Sequence, residues 1–138
     1  MAIDYGSAKI GLAVTDPDRL MAFGRGVLRG LAREKALEAI WKMIIEEKAV
    51  KVVIGLPMGE NGEETPQCAK IRDFGALLAE KAAQECHSLD IDFIDESFST
   101  FEAGRVLKEI GATAEQKKET EDEVAAIILL HRYIDFRP

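Results

Sequence analysis

Apolar positions along the chain come first in short runs and then in stripes with helical spacing. The opening AIDYGSAKIGLAVTD holds two apolar runs on either side of Gly6, the second being IGLAVT from Ile10 to Thr15. With a third run from about Leu20 to Leu28 they predict an antiparallel meander whose turns use Gly6 and the Asp16-Pro17-Asp18 cluster. Leu37, Ile40, Trp41 and Ile44 then fall at i, i+3, i+4 and i+7, which marks an amphipathic helix from about Ala32 to Lys48. VKVVIGLP reads as a buried strand stopped by Gly55 and Pro57. A second helix, from about Thr65 to Glu85, carries Ile71, Phe74 and Leu78 on one stripe, and IDFIDE follows as another strand. Strand, helix and strand in that order imply a right-handed parallel crossover. Ser99 with Glu102, and Thr120 with Glu123, fit the Ser/Thr-x-x-Glu capping box and predict helix starts at Ser99 and Thr120. The last helix contains VAAIILL, apolar almost all round and therefore expected to be buried. The predicted fold class is α/β, a five-stranded mixed sheet of three antiparallel strands and then two parallel ones, flanked by helices. No repeat or linker divides residues 1–138, so a single domain is expected.

Composition narrows the functional classes. With 47% hydrophobic and 31% charged residues the chain reads as soluble and globular. No apolar run approaches the roughly 20 residues of a membrane span, and the start lacks the pattern of a signal peptide, so a cytoplasmic location is expected. Cys68 and Cys86 lack metal-ligand spacing and read as free thiols. A formal charge of −7 excludes a surface that is basic all over, although a local Lys/Arg cluster can still hold a phosphate backbone.

In a mixed sheet of this order, ligands gather at the carboxyl ends of the parallel strands. Asp4 ends the first strand, Asp95 and Glu96 end the last, and Asp122 falls in the first turn predicted for the final helix. Three separated stretches thus bring carboxylates to one edge. Like charges held close need a cation, and hard divalent ions such as Mg2+ take oxygen ligands. Each residue also has a simpler reading: Asp4 can favour a turn, Asp122 can complement the helix dipole, and Asp95 and Glu96 can be strand-end charges. His131, nine residues after Asp122 and about 180° round an ideal helix, does not join the set. His87 lies in a polar connection.

Four motifs carry a family resemblance. DYGSAKIGLA, GLPMGENGEETP, DESFSTFEA and KETEDEVAA stand in the order and spacing of the YqgF/RuvX family and cover essentially the whole chain. That family, of the RNase H-like superfold, is described both as Holliday-junction resolvases and as nucleases that process the small-subunit ribosomal RNA precursor. The resemblance implies a single RNase H-like nuclease domain whose catalytic and metal-ligating residues are Asp4, Glu96 and Asp122, with two Mg2+ or Mn2+ ions serving in-line hydrolysis of a phosphodiester. Lys9 stands where the family has arginine and is expected to contact phosphate, together with Ser99, Thr100, Lys117 and Lys118. The chain also begins about two residues later than the family pattern, which predicts a short first strand. The partner implied is nucleic acid, an rRNA precursor or branched DNA, with no membrane; a homodimer is left open. Two other classes stay in view: a catalytically silent RNA-binding or assembly factor, and an actin-like ATPase fragment, since DYGSAKIGLAVTD also resembles the phosphate-binding hairpin of those enzymes.

Overall fold

Period-2 runs near the start and 3.6-period stripes later build a sheet with helices on both faces. The structure, a computed structural model, describes residues 1–6, 8–95 and 114–136, with side chains in the last stretch described for 123–134. The strands are β1 (Ala2–Tyr5), β2 (Lys9–Thr15), β3 (Ala22–Arg29), β4 (Lys51–Leu56) and β5 (Asp90–Asp95), and the helices are α1 (Arg33–Glu47), α2 (Pro66–Gln84) and α3 (Ala114–Phe136). They form one five-stranded sheet in the order β3-β2-β1-β4-β5. β1 and β2 pair antiparallel, as do β2 and β3, whereas β4 is parallel to β1 and β5 is parallel to β4. Three antiparallel strands followed by two parallel ones are what the pattern predicted.

Alternation along the strands sends side chains into two cores. Ile3, Ile10, Leu12, Val52, Ile54 and Leu56 pack under α1 and α2 with Ile40, Ile44, Ile71, Phe74 and Leu78. On the other face, Ala2, Ala13 and Ala22 meet Ala126, Leu129 and Leu130 of α3. Small residues pave this second face, so α3 can lie close to the sheet.

The tight β1–β2 turn depends on glycine. The Gly6 N–H donates to the Lys9 carbonyl at 2.9 Å, and a Cβ at residue 6 would lie 2.7 Å from that oxygen. The second turn uses the predicted Asp16, whose Oδ1 accepts the N–H groups of Leu20 and Met21. The buried thiol of Cys68 and the exposed one of Cys86 are both free. His87 shares a hydrogen bond of 3.0 Å with the Ala49 carbonyl and packs edge-on to Trp41.

Two expectations need correction, both in α3. Its backbone is helical from Ala114, six residues before the start predicted at Thr120. The stretch AEQKKE is rich in strong helix formers, which carries the helix through the supposed cap. Nor is VAAIILL buried all round: Ala125, Ala126, Leu129 and Leu130 are buried, but Val124, Ile127 and Ile128 are only half-buried, because α3 covers one face of the sheet and keeps an outer side. The helix start predicted at Ser99 lies outside the described residues.

Candidate active site

Asp4 is the third residue of the central strand β1. Its neighbours Ile3 and Tyr5 pack into the α1/α2 core and Ala2 into the α3 core, so alternation turns Asp4 toward α3. It is 9% exposed, the one buried polar or charged side chain among the described residues. The turn after β1 is closed by Gly6 and Lys9, so favouring a turn does not account for Asp4.

The positions flanking Asp4 on the neighbouring strands carry no side chains. Gly11 stands directly opposite on β2. On the other side the parallel register pairs Ile3 with Ile54, and the next residue of β4 is Gly55. A side chain at either place would stand about 5 Å from Asp4 on the same face. Both are glycines, so neither flanking position adds a side chain beside this buried carboxylate at the carboxyl edge of the parallel strands. Burying a carboxylate is costly without a compensating charge or hydrogen bonds. Its oxygens are the donors that hard divalent ions take. Donor chemistry at Asp4 is thus of the kind that Mg2+ or Mn2+ takes. Among the described residues no group of three or more His, Cys, Asp or Glu side chains could hold a metal. Glu96 and the Asp122 side chain lie outside that set.

The other candidates separate by face and by element. Asp95 ends β5 and is exposed; Phe93 lies in the α1/α2 core and Ile94 packs against the α3 core, so alternation places Asp95 on the face away from Asp4. The Asp122 backbone belongs to α3, three and four residues before the buried Ala125 and Ala126. Lys9, half-buried, opens β2; with Ile10 and Leu12 in the α1/α2 core, it shares Asp4's face, and Arg29 stands opposite it in register. Lys117 and Lys118 belong to the backbone of α3, while Ser99 and Thr100 lie outside the described residues.

One residue acquires a role the sequence did not disclose. Glu123 reads in the sequence as the second half of a capping box. In the structure its Oε2 accepts the Gly26 N–H at 2.6 Å, a contact between α3 and β3 across 97 residues of chain. The signal available in the sequence was the glycine spacing in AFGRG, which marks a bulge but does not name its partner.

A β3-β2-β1-β4-β5 sheet with a buried aspartate on its central strand and a helix packed over that face is an RNase H-like arrangement. A family model described as RuvX, Holliday junction resolvase, matches residues 1–136, and the chain belongs to that family. Among curated relatives it is 37% identical to a protein of Gloeobacter violaceus, covering 99% of this chain and 83% of that one. It is 33% identical to one of Maridesulfovibrio salexigens, covering 97% and 96% of the two chains. Both relatives are named as candidate pre-16S rRNA nucleases. In fold the chain is similar to T. thermophilus RuvC, solved in complex with a Holliday junction substrate: the TM-score is 0.57 at 15% identity, covering 96% of this chain and 91% of that one. None of the described helices is long and apolar enough to cross a membrane.

Proposed function

We propose that this chain acts as one domain, residues 1–138, that hydrolyses phosphodiester bonds in structured nucleic acid, with Asp4, Glu96 and Asp122 as its catalytic carboxylates. The small-subunit rRNA precursor is the favoured substrate, after the names of the curated relatives, and a Holliday junction is the alternative, after the family description. The observation that carries the reading is the buried Asp4, facing α3 between two positions without side chains.

Bound Mg2+ or Mn2+ would supply Lewis acidity to the attacking water and the leaving oxygen. Asp4, Glu96 and Asp122 would hold the cations. The role of Asp4 is to present a fixed, poorly hydrated anion on a rigid strand, where little reorganisation accompanies the reaction. Lys9, on the same face as Asp4, would meet a phosphate of the nucleic acid in this reading. Ser99, Thr100, Lys117 and Lys118 extend that contact in this reading. Location in the cytoplasm, where ribosomal precursors are processed in bacteria, belongs to the same proposal.

The test is a cleavage assay on matched precursor-RNA and four-way-junction substrates in Mg2+ and in Mn2+. The wild type should cut one of them, and Asp4→Asn, which keeps shape while removing the charge, should lower the rate by at least a hundredfold with little change in nucleic-acid affinity. Binding without cleavage by the wild type would identify a silent RNA-binding factor instead.

A further inference from the structure

We infer that Glu123 is a positioning residue that sets the place of Asp122 over the sheet by clamping α3 to a bulge in β3. The inference rests on the reading of Asp122 as a metal ligand and deepens it.

The argument starts from the β2–β3 ladder. Gly11 pairs with Val27 and Ala13 with Gly24, so two steps along β2 match three along β3. The extra residue makes a β-bulge, which leaves a residue out of the ladder and commonly uses a glycine at positive φ. Gly26, at φ 96°, lies within it. Its N–H donates to Glu123 Oε2 at 2.6 Å. A carboxylate from the opposing helix therefore satisfies a backbone donor within the bulge, in a half-buried setting where a charge-assisted bond is shorter and stronger than a neutral one.

Gly24 completes the clamp. A Cβ built there would lie 2.5 Å from Glu123 Cδ and Oε1 and 2.7 Å from its Cγ. The side chain of Glu123 thus occupies the space that any other residue at 24 would fill, and it is held both by what it bonds to and by what is missing beneath it. Toward its C-terminus α3 is also tied to β5, where the Tyr133 hydroxyl donates to Asp92 Oδ2 at 2.5 Å. Ten residues separate the two ties, about 15 Å of helix. The helix is pinned at both sides of the sheet, and Asp122 is the residue next to the first pin. A register slip of α3 along β3 would move residue 122 relative to Asp4, and metal sites hold their ligands within narrow limits of geometry.

The experiment measures Mn2+ affinity by calorimetry, and separately the Mn2+ concentration that gives half-maximal cleavage, on the full chain. Glu123→Ala removes the clamp, and Gly24→Ala displaces the carboxylate without altering it. Both should weaken Mn2+ binding about tenfold or more. Glu123→Gln, whose amide oxygen can still accept the Gly26 N–H, should stay within about threefold of wild type. Leu78→Ala, in the core on the far face, serves as a control that lowers the melting temperature without touching the clamp, and should leave Mn2+ affinity unchanged. Unchanged affinity in Glu123→Ala and Gly24→Ala, while Asp122→Asn abolishes binding, overturns the inference alone. Wild-type binding that Asp122→Asn does not weaken overturns the underlying reading and the inference with it.

Discussion

A single group at the start of the chain makes stability depend on pH in a predictable direction. The Met1 ammonium donates to the Lys51 carbonyl at 3.0 Å, and burial pushes its pKa down from 8.0 to about 6; Arg19 adds a smaller push the same way, and Glu47 opposes it. Because the folded-state pKa lies below the unfolded one, the unfolded chain binds this proton more readily between those values. Stability from this group is therefore complete above about pH 8 and is lost as the pH falls toward 6. The difference between 8.0 and about 6 corresponds to roughly 2 to 3 kcal/mol. Urea titrations across this window should show that loss, and a chain acetylated at its N-terminus, which has no such proton, should lack this part of the slope. Equal slopes for the two chains would disprove the assignment. Asp4 is the other residue whose setting departs from the ordinary. Its candidacy was legible because a carboxylate at the end of a short apolar strand is conspicuous. Its burial was not, because that depends on β2 and β4 flanking β1 and on α3 packed over that face, all contributed by other parts of the chain.

At the level of elements, close approach of α2 to the sheet is the feature most open to a mutational check. Gly75 is buried in the middle of α2, and a Cβ there would lie 2.6 Å from Phe93 Cζ and 3.5 Å from Ile54 Cδ1. On helix propensity alone, Gly75→Ala should stabilise by about 1 kcal/mol. The contact with the Phe93 ring opposes this, since forcing an extra carbon into a packed core typically costs about 1 to 3 kcal/mol. Net destabilisation is expected, seen as a lower urea midpoint, and a raised midpoint would show that the ring yields freely. Helix ends were legible in the sequence where local signals and packing agree. α1 was expected over Ala32–Lys48 and runs Arg33–Glu47; α2 was expected over Thr65–Glu85 and runs Pro66–Gln84. Each flanking residue named as an end is in fact the cap. At Thr120 the local signal failed because a capping box describes only four residues, whereas the Glu it requires was claimed by a bulge 97 residues away. Asp95 and Glu96 could not be told apart from composition. Pairing of β4 with β5 decides that Asp95 faces away from Asp4.

For the molecule as a whole, the question is how a chain with a formal charge of −7 holds a polyanion. Total charge would repel the substrate, so in the proposed reading binding would come from a few cations at the sheet's carboxyl edge, helped by divalent ions held at the proposed carboxylates. The described structure sets Lys9 on Asp4's face of that edge, with Arg29 opposite it across the β2–β3 ladder. Affinity for single-stranded RNA should therefore fall with salt along a shallow line, each phosphate neutralised contributing a log–log slope of about −0.7. Lys9→Gln should make the line shallower by about one such step. It should weaken binding to unrelated sequences alike, because a backbone contact carries no base information. Salt titrations of wild type and Lys9→Gln on two RNAs of different sequence, in Ca2+ to suppress cleavage, measure both effects. Identical slopes, or a loss confined to one sequence, would remove Lys9 from the phosphate contacts and shift the attraction to Arg29 and the bound cations.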